Sequence, residues 1–191
     1  MSHPAPLTDS EFATLQPFLH APSDIPRRGR PTDHRARLDA IFHLAGTTLP
    51  WSALPGCFGP HATVARHFRR LTHAGFWERL LATLAKAPPH HPLQALRHRI
   101  CRAARRAHRL LGPRLALLAR RLELREALPG PPWLLPDPDL SETLARAKIP
   151  PFPTAYGSVT PYRRMLRALA ALHRTAAGRA RLPRSLRLGW L

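Results

Sequence analysis

Apolar residues recur at helical spacing in several stretches of the chain. One stripe follows Thr8 and Glu11, whose spacing is that of a capping box, and another occupies residues 38–45 at positions i, i+3, i+4 and i+7. We expect Thr32 to cap the second helix and Gly46 to end it. The pattern therefore predicts two short amphipathic helices near the N-terminus.

A Pro- and Gly-rich turn at residues 50–60 separates the second helix from a third, which has two different faces. In residues 62–73 the apolar positions follow i, i+4 and i+7, and basic residues follow i, i+3, i+4 and i+7 on another face. After a break at Gly75, the stripe in residues 77–84 predicts a helix that closes a small bundle. We expect the aromatic residues Trp51 and Trp77 to lie in its core.

The basic face of the third helix suggests a contact with DNA. A major groove admits one helix, whose arginines can meet phosphates and guanine edges, so a turn followed by a basic helix is typical of a helix-turn-helix protein. The alternative is a solvated basic face without a ligand. The residues predicted to contact DNA are Arg66, His67, Arg69, Arg70 and His73.

A second basic stretch, IPRRGRP, precedes the second helix at residues 25–31. Its prolines and glycine favour an extended backbone, and its Arg-Gly-Arg-Pro core resembles the minor-groove hook of chromatin proteins. Arginine is attracted into the narrow, electronegative minor groove of A·T tracts. We expect Arg27, Arg28 and Arg30 to reach the minor groove or the phosphate backbone, unless the stretch is only a solvated linker.

The order and spacing of several motifs resemble the N-terminal domain of DDE-type insertion-sequence transposases over about residues 7–84. The motifs are LTDSEF, RRGRP, LDAIFHLAGTTLPWSALP, FGPHATVARHFRR and AGFWERLL. The resemblance implies a small helical module that binds the terminal repeats of the element and precedes a ribonuclease-H-like catalytic domain. His61, Ala65 and Leu71 stand where relatives often carry aromatic residues.

The charge of the chain also favours a polyanionic partner. The formal net charge is +19 and the pI is near 11.9, which attracts nucleic acid without sequence specificity. Of the 30 lysine and arginine residues, only Lys86 and Lys148 are lysine. The excess of arginine reflects either bidentate phosphate contacts or a GC-rich coding sequence that favours arginine. No signal-peptide pattern and no apolar run near ~18 residues is present, so we expect no membrane partner and a cytoplasmic, nucleoid-associated protein.

The rest of the chain divides by composition. We expect a basic helical extension at residues 87–128, a Pro-rich irregular segment at 129–160, and a C-terminal helix with a basic tail at 161–191. The extension has its own basic face, which could lie on DNA phosphates. It is formed by Arg102, Arg105, Arg106 and Arg109.

Nothing in the sequence predicts an enzyme. DDE chemistry needs three carboxylates that converge on two divalent metals, and the nearest pair, Asp137 and Asp139, has the pattern of a helix cap before Leu140. Cys57 and Cys101 lack the CxxC spacing of a zinc site and are expected to be buried thiols. We therefore predict no catalytic residues, no metal site and no cofactor.

These observations predict an all-α protein: a helix-turn-helix-like bundle at residues 7–86, able to fold alone, followed by a basic, partly helical, Pro-rich extension. The predicted function is that of a transposase-related DNA-binding protein, a truncated or decayed transposase without its catalytic domain. The alternative is a basic RNA-binding or ribosome-associated protein. A third possibility is that residues after 86 are frameshifted or intergenic sequence without a selected function.

Overall fold

A computed structural model describes residues 5–19, 33–47, 49–179, 182–183, 185–186 and 190. These residues form α-helices and short 3₁₀ turns without any strand, which confirms the predicted all-α class. The helices are α1 Asp9–Leu19, α2 His34–Ala45, α3 His61–His73, α4 Phe76–Lys86, α5 Pro92–Ala95, α6 Arg97–Leu111, α7 Pro113–Arg121, α8 Pro138–Ala145 and α9 Val159–Ala177. Among the described residues, no helix is both long enough and apolar enough to cross a membrane. The chain divides into two compact units, the first ending at Pro129 and the second spanning Gly130–Trp190.

The predicted capping box starts α1. The Thr8 N–H donates to Glu11 Oε2 at 2.8 Å, and the Glu11 N–H donates to Thr8 Oγ1 at 3.2 Å. Each side chain thus satisfies an amide that has no partner within the helix. The helix continues beyond Pro17 and buries Leu15 and Leu19 in the first unit.

The cap of α2 is not the predicted one. Asp33 is the N-cap, and its carboxylate accepts a hydrogen bond from the Ala36 N–H at 3.0 Å. Thr32 lies outside the described residues, and the prediction that it is the N-cap of α2 is wrong. An aspartate is as good a cap as a threonine, so the pattern could not separate the two neighbours. Gly46 ends the helix as predicted.

The connection from α2 to α3 covers residues 46–60 and contains two 3₁₀ turns, Trp51–Ala53 and Gly56–Phe58. The turn is therefore longer than the three or four residues of most helix-turn-helix proteins. The next connection is much tighter, since only Ala74 and Gly75 join α3 to α4. Gly75 has φ +72°, a left-handed conformation that glycine adopts without strain.

Trp77 lies at the centre of the core of the first unit. Its ring packs edge-on against Phe76, with centroids 4.8 Å apart, and in a tilted arrangement against Phe68, with centroids 5.6 Å apart. The indole N–H donates to Thr72 Oγ1 at 3.0 Å, and the Thr72 hydroxyl donates to Phe68 O at 2.8 Å. These contacts fix α3 to α4, and they confirm that Trp77 is a core residue. Trp51 is half-buried and packs on Phe68, with centroids 5.1 Å apart.

Helix α6 completes the same core, although it lies beyond residue 86. It packs against α2, α3 and α4 and buries one whole face. Cys101 on this face is buried as predicted, whereas Cys57 is exposed, contrary to prediction. These contacts do not test the prediction that residues 7–86 fold alone, but they make α6 part of the same core. The buried face consists of Ile100, Cys101, Ala103, Ala104 and Ala107.

The second unit is built mainly from α8 packed against α9. We predicted no regular element at residues 129–160, but α8 lies there, with Asp137 as its N-cap. Asp137 Oδ1 accepts a hydrogen bond from the Leu140 N–H at 3.1 Å, as the capping interpretation expects. Helix α9 begins at Val159, close to the predicted start at Pro161.

The C-terminal end of α9 is held by backbone hydrogen bonds. The Asp137 N–H donates to Ala176 O at 2.7 Å, and the Arg179 N–H donates to Leu134 O at 2.8 Å. Gly178 lies between Ala176 and Arg179 in the chain and has φ +66°. A Cβ at this position would lie 2.5 Å from Pro136 N. Only glycine therefore allows the chain to leave α9 so close to the segment before α8.

Candidate nucleic-acid interface

Helix α3 has one face in the core and one in solvent. Val64, Phe68 and Leu71 are buried, which leaves the opposite side free. Within the described part of the chain, none of the basic residues on that side forms a salt bridge with a carboxylate. We call this surface the α3 basic face, and its exposed members are Arg66, Arg69, Arg70 and His73.

The structure separates His67 from the other four predicted contact residues. Its side chain is only 2% exposed and lies beneath the α3 basic face, with its ring centroid 5.3 Å from that of His34. A buried ring cannot reach a DNA groove, so His67 does not belong to the candidate interface.

The position of His67 explains its protonation state. Burial, followed by the nearby charges of His34, Arg37 and Arg70, lowers the pKa of His67 to about 3. The ring is therefore neutral near pH 7. Arg70 Nη2 lies 3.2 Å from His67 Nδ1, which must accept this hydrogen bond because a guanidinium only donates. The neutral histidine thus orients one arginine of the α3 basic face.

The predicted minor-groove residues Arg27, Arg28 and Arg30 lie outside the described residues. Their role stays a prediction.

The second predicted basic face, on α6, has a different role at Arg106. Arg106 Nη2 donates to Leu49 O at 2.9 Å, and Nη1 donates to Leu44 O at 3.3 Å. Its guanidinium carbon lies 4.4 Å from the ring centroid of Trp51. Burial, followed by the charge of Arg109, lowers the pKa of Arg106 to about 10, so the group stays charged at neutral pH. Arg106 therefore ties α6 to the end of α2 and to the connection that leads into α3.

Arg105 makes a comparable contact with a different segment of the fold. Its Nη2 donates to Glu126 O at 2.6 Å in the 3₁₀ turn Arg125–Ala127. Burial, followed by the charge of Arg102, lowers the pKa of Arg105 to about 10. The prediction that the α6 face lies on phosphates must therefore be corrected for Arg105 and Arg106, whose N–H groups bond the fold itself. Arg109 remains exposed, but with Arg105 and Arg106 engaged in the fold the α6 face is not retained as a candidate interface.

Two carboxylates of the second unit stabilise its helices. Asp137 caps α8, and Glu142 Oε1 pairs with Arg146 Nη2 at 2.7 Å, one turn further along the chain. Among the described residues, no three His, Cys, Asp or Glu side chains come together as a metal site would require.

Comparison with known families gives a match to part of the chain. Residues 7–81 fit the family model described as "Putative transposase of IS4/5 family". The match runs from the start of α1 into α4 and contains the whole α3 basic face, whereas α5 to α9 lie outside it. Neither the curated proteins nor the solved structures gave a match to the chain. This match confirms the resemblance, since residues 7–81 fit an N-terminal transposase-like domain.

Proposed function

We propose that this protein is a transposase-related DNA-binding protein, and that the α3 basic face is its contact with duplex DNA. The observation that supports the proposal is the exposure of four basic side chains on that face. Four basic side chains lie at i, i+3, i+4 and i+7, exposed and without a salt bridge to any described carboxylate, in a segment that matches a transposase family.

The way α3 is held supports this role. The helix is anchored from below by Phe68, Thr72 and Trp77, so its exposed arginines project from a rigid support. An anchored recognition helix loses little conformational entropy on binding. Arg70 is further oriented by its hydrogen bond to His67. We infer that α2, the connection at residues 46–60 and α3 act as a helix-turn-helix-like reader with α3 in the major groove.

The basic stretch at residues 25–31, for which the sequence predicts an extended backbone, completes the proposal. We infer that Arg27, Arg28 and Arg30 reach the minor groove or the backbone beside the site of α3, as the Arg-Gly-Arg-Pro sequence suggests. A nucleoid-associated location would follow from such DNA binding.

We further infer that residues 87–191 do not form a DDE catalytic domain, as would be expected of a truncated or decayed relative of a transposase. Five carboxylates are available there, and Asp137 already serves as a helix cap. The described part of this region is helical, whereas the ribonuclease-H-like domain expected from the resemblance is built around strands. This supports a protein that binds DNA without cleaving it.

The test is a triple variant, Arg66→Ala, Arg69→Ala and Arg70→Ala, which leaves Val64 and Phe68 in the core. If three phosphate contacts are lost, the slope of log K against log[salt] should fall by roughly 2 to 3 units on duplex DNA. The matched control is Lys86→Ala, Arg109→Ala and Arg125→Ala, which removes the same charge from exposed positions outside the interface.

Circular dichroism should show the same helix content in both variants. Equal salt slopes for the two variants would mean that the α3 basic face is only a solvated surface. Stronger competition by structured RNA than by duplex DNA would favour the alternative of an RNA-binding protein.

A further inference from the structure

The second unit carries an arginine stripe that the proposed function does not use. Arg163, Arg167 and Arg174 follow one another at i, i+4 and i+11 on α9, and all three are exposed. At 3.6 residues per turn, their directions differ by at most about 40° around the helix axis. They therefore share one narrow face, which we call the α9 stripe.

The opposite face of α9 is engaged within the unit. Ala176 is buried, and Tyr162, Met165 and Leu169 are half-buried. The Tyr162 ring packs edge-on against Phe152 at 5.5 Å, and its hydroxyl donates to Pro150 O at 3.2 Å. Because this side packs inward, the α9 stripe must face solvent.

No described carboxylate forms a salt bridge with the α9 stripe. The second unit has ten basic and three acidic residues in its sequence, so it carries a large uncompensated positive charge. Of the three acids, Asp137 caps α8 and Glu142 pairs with Arg146. A stripe of arginines without such partners is suited to a polyanion from outside the chain.

The dimensions of the stripe fit a nucleic-acid backbone. At about 1.5 Å of rise per residue, the distance from Arg163 to Arg174 along the helix is roughly 16 Å. One DNA strand carries a phosphate every ~3.4 Å along its axis, so the stripe matches the length of about five phosphates. Arginine binds phosphate oxygens in a bidentate manner, which suits each of the three positions.

We propose that the α9 stripe is a second DNA-binding surface, which contacts the phosphate backbone of a duplex without reading its sequence. It lies outside the segment that matches the transposase family, so it is separate from the proposed role of α3. An anionic membrane is disfavoured because an interfacial helix inserts its apolar face, and the centre of that face on α9 is packed. On α9 itself, the exposed large apolar side chains are those of the flanking Leu166 and Leu172, at 38% and 43%. Phe152, which packs on Tyr162, is also exposed, so the vesicle measurement below tests the membrane alternative directly.

A second surface on one chain has a measurable effect. If both surfaces contact the same duplex, the second contact forms at a high effective concentration, and the affinity of the full chain then exceeds that of each surface alone. Because phosphate contacts carry no sequence information, the α9 stripe should raise the affinity for all duplexes by the same factor.

The experiment uses the full chain and a 30-base-pair duplex, with fluorescence anisotropy at several salt concentrations. Arg163→Ala, Arg167→Ala and Arg174→Ala should reduce the salt slope by roughly 2 to 3 units. Alanine favours a helix, so α9 should persist. Lysine at the same three positions should restore most of the slope. The controls are the α3 triple variant and the Lys86, Arg109 and Arg125 triple variant.

A salt slope equal to that of the Lys86, Arg109 and Arg125 variant would overturn the proposal. So would an α9 variant that binds DNA normally but no longer binds vesicles of anionic phospholipid, since the stripe would then be a membrane surface. The α3 variant is measured in parallel, so failure of the α9 proposal can be told apart from failure of the proposed function.

Discussion

Replacing Arg106 should destabilise the first unit rather than weaken DNA binding. Its guanidinium reaches from α6 to Leu44 O at the end of α2 and to Leu49 O in the connection to α3. It also covers the ring of Trp51. Arg106→Ala removes all three contacts at once.

The expected cost follows from each contact. Hydrogen bonds from charged groups contribute about 1.5–3 kcal/mol and a partly exposed cation–π contact about 0.5–1 kcal/mol. The loss at Leu44 O is smaller, because this oxygen keeps the Thr47 hydroxyl as a donor at 2.9 Å. Leu49 is exposed, so water can replace the donor there. We therefore expect Arg106→Ala to lower the free energy of unfolding of the first unit by about 2 kcal/mol, near the low end of the sum of these contributions.

The assay is urea unfolding of the full chain with Trp133→Phe and Trp190→Phe, so that fluorescence reports only Trp51 and Trp77 of the first unit. At a typical m-value of about 2 kcal/mol/M, the midpoint should shift by roughly 1 M. Arg109→Ala is the matched control, since it removes the same charge from an exposed position on the same helix. It should cost less than about 0.5 kcal/mol.

The opposite result would refute this reasoning. If Arg106→Ala is as stable as Arg109→Ala but binds DNA several-fold more weakly, then the α6 face contacts phosphates, as its sequence pattern first suggested. The structural assignment of the Arg106 hydrogen bonds would then be wrong.

Three further predictions concern folding, pH and chemistry. Because α6 supplies a fully buried face, residues 1–129 should unfold cooperatively in isolation, whereas residues 1–86 should lack a sharp transition, in contrast to our expectation from sequence. The pKa of His67 falls from 6.5 to about 3 on folding, so the unfolded chain binds more protons between these values and stability should decrease as pH falls through that window. His67→Gln should remove this part of the pH dependence in urea unfolding at pH 4–7. The purified protein should show no Mg²⁺- or Mn²⁺-dependent strand cleavage. Asp137→Ala should instead lower the free energy of unfolding of the second unit by about 1 kcal/mol, because α8 loses its N-cap.

Each of these predictions has a contrary outcome. A cooperative transition of residues 1–86 would show that α6 is dispensable for folding. A pH dependence left unchanged by His67→Gln would mean that its burial does not alter its titration. Metal-dependent cleavage that disappears in Asp137→Ala or Asp139→Ala would overturn the assignment of these residues to a capping turn.

The sequence by itself determined the local features. The capping box of Thr8 and Glu11, the break at Gly75 and the apolar stripe of α3 all depend on residues within one or two turns of each other, so spacing predicts them. The family resemblance was recognisable for the same reason, because its motifs are short runs with regular gaps. Helix α8 was missed since its eight residues carry too few apolar positions to set a period.

Only the tertiary structure decided the role of each polar residue on a helix. We placed His67 with Arg70 among the DNA contacts although it lies outside the i, i+3, i+4, i+7 set of basic residues, and spacing grouped Arg105 and Arg106 with Arg109. In the fold, His67 is buried beside His34, and Arg105 and Arg106 bond carbonyl oxygens that lie at least 20 residues away in sequence. A helical period states which direction a side chain takes, but whether solvent, a carbonyl oxygen or another helix lies in that direction depends on segments distant along the chain.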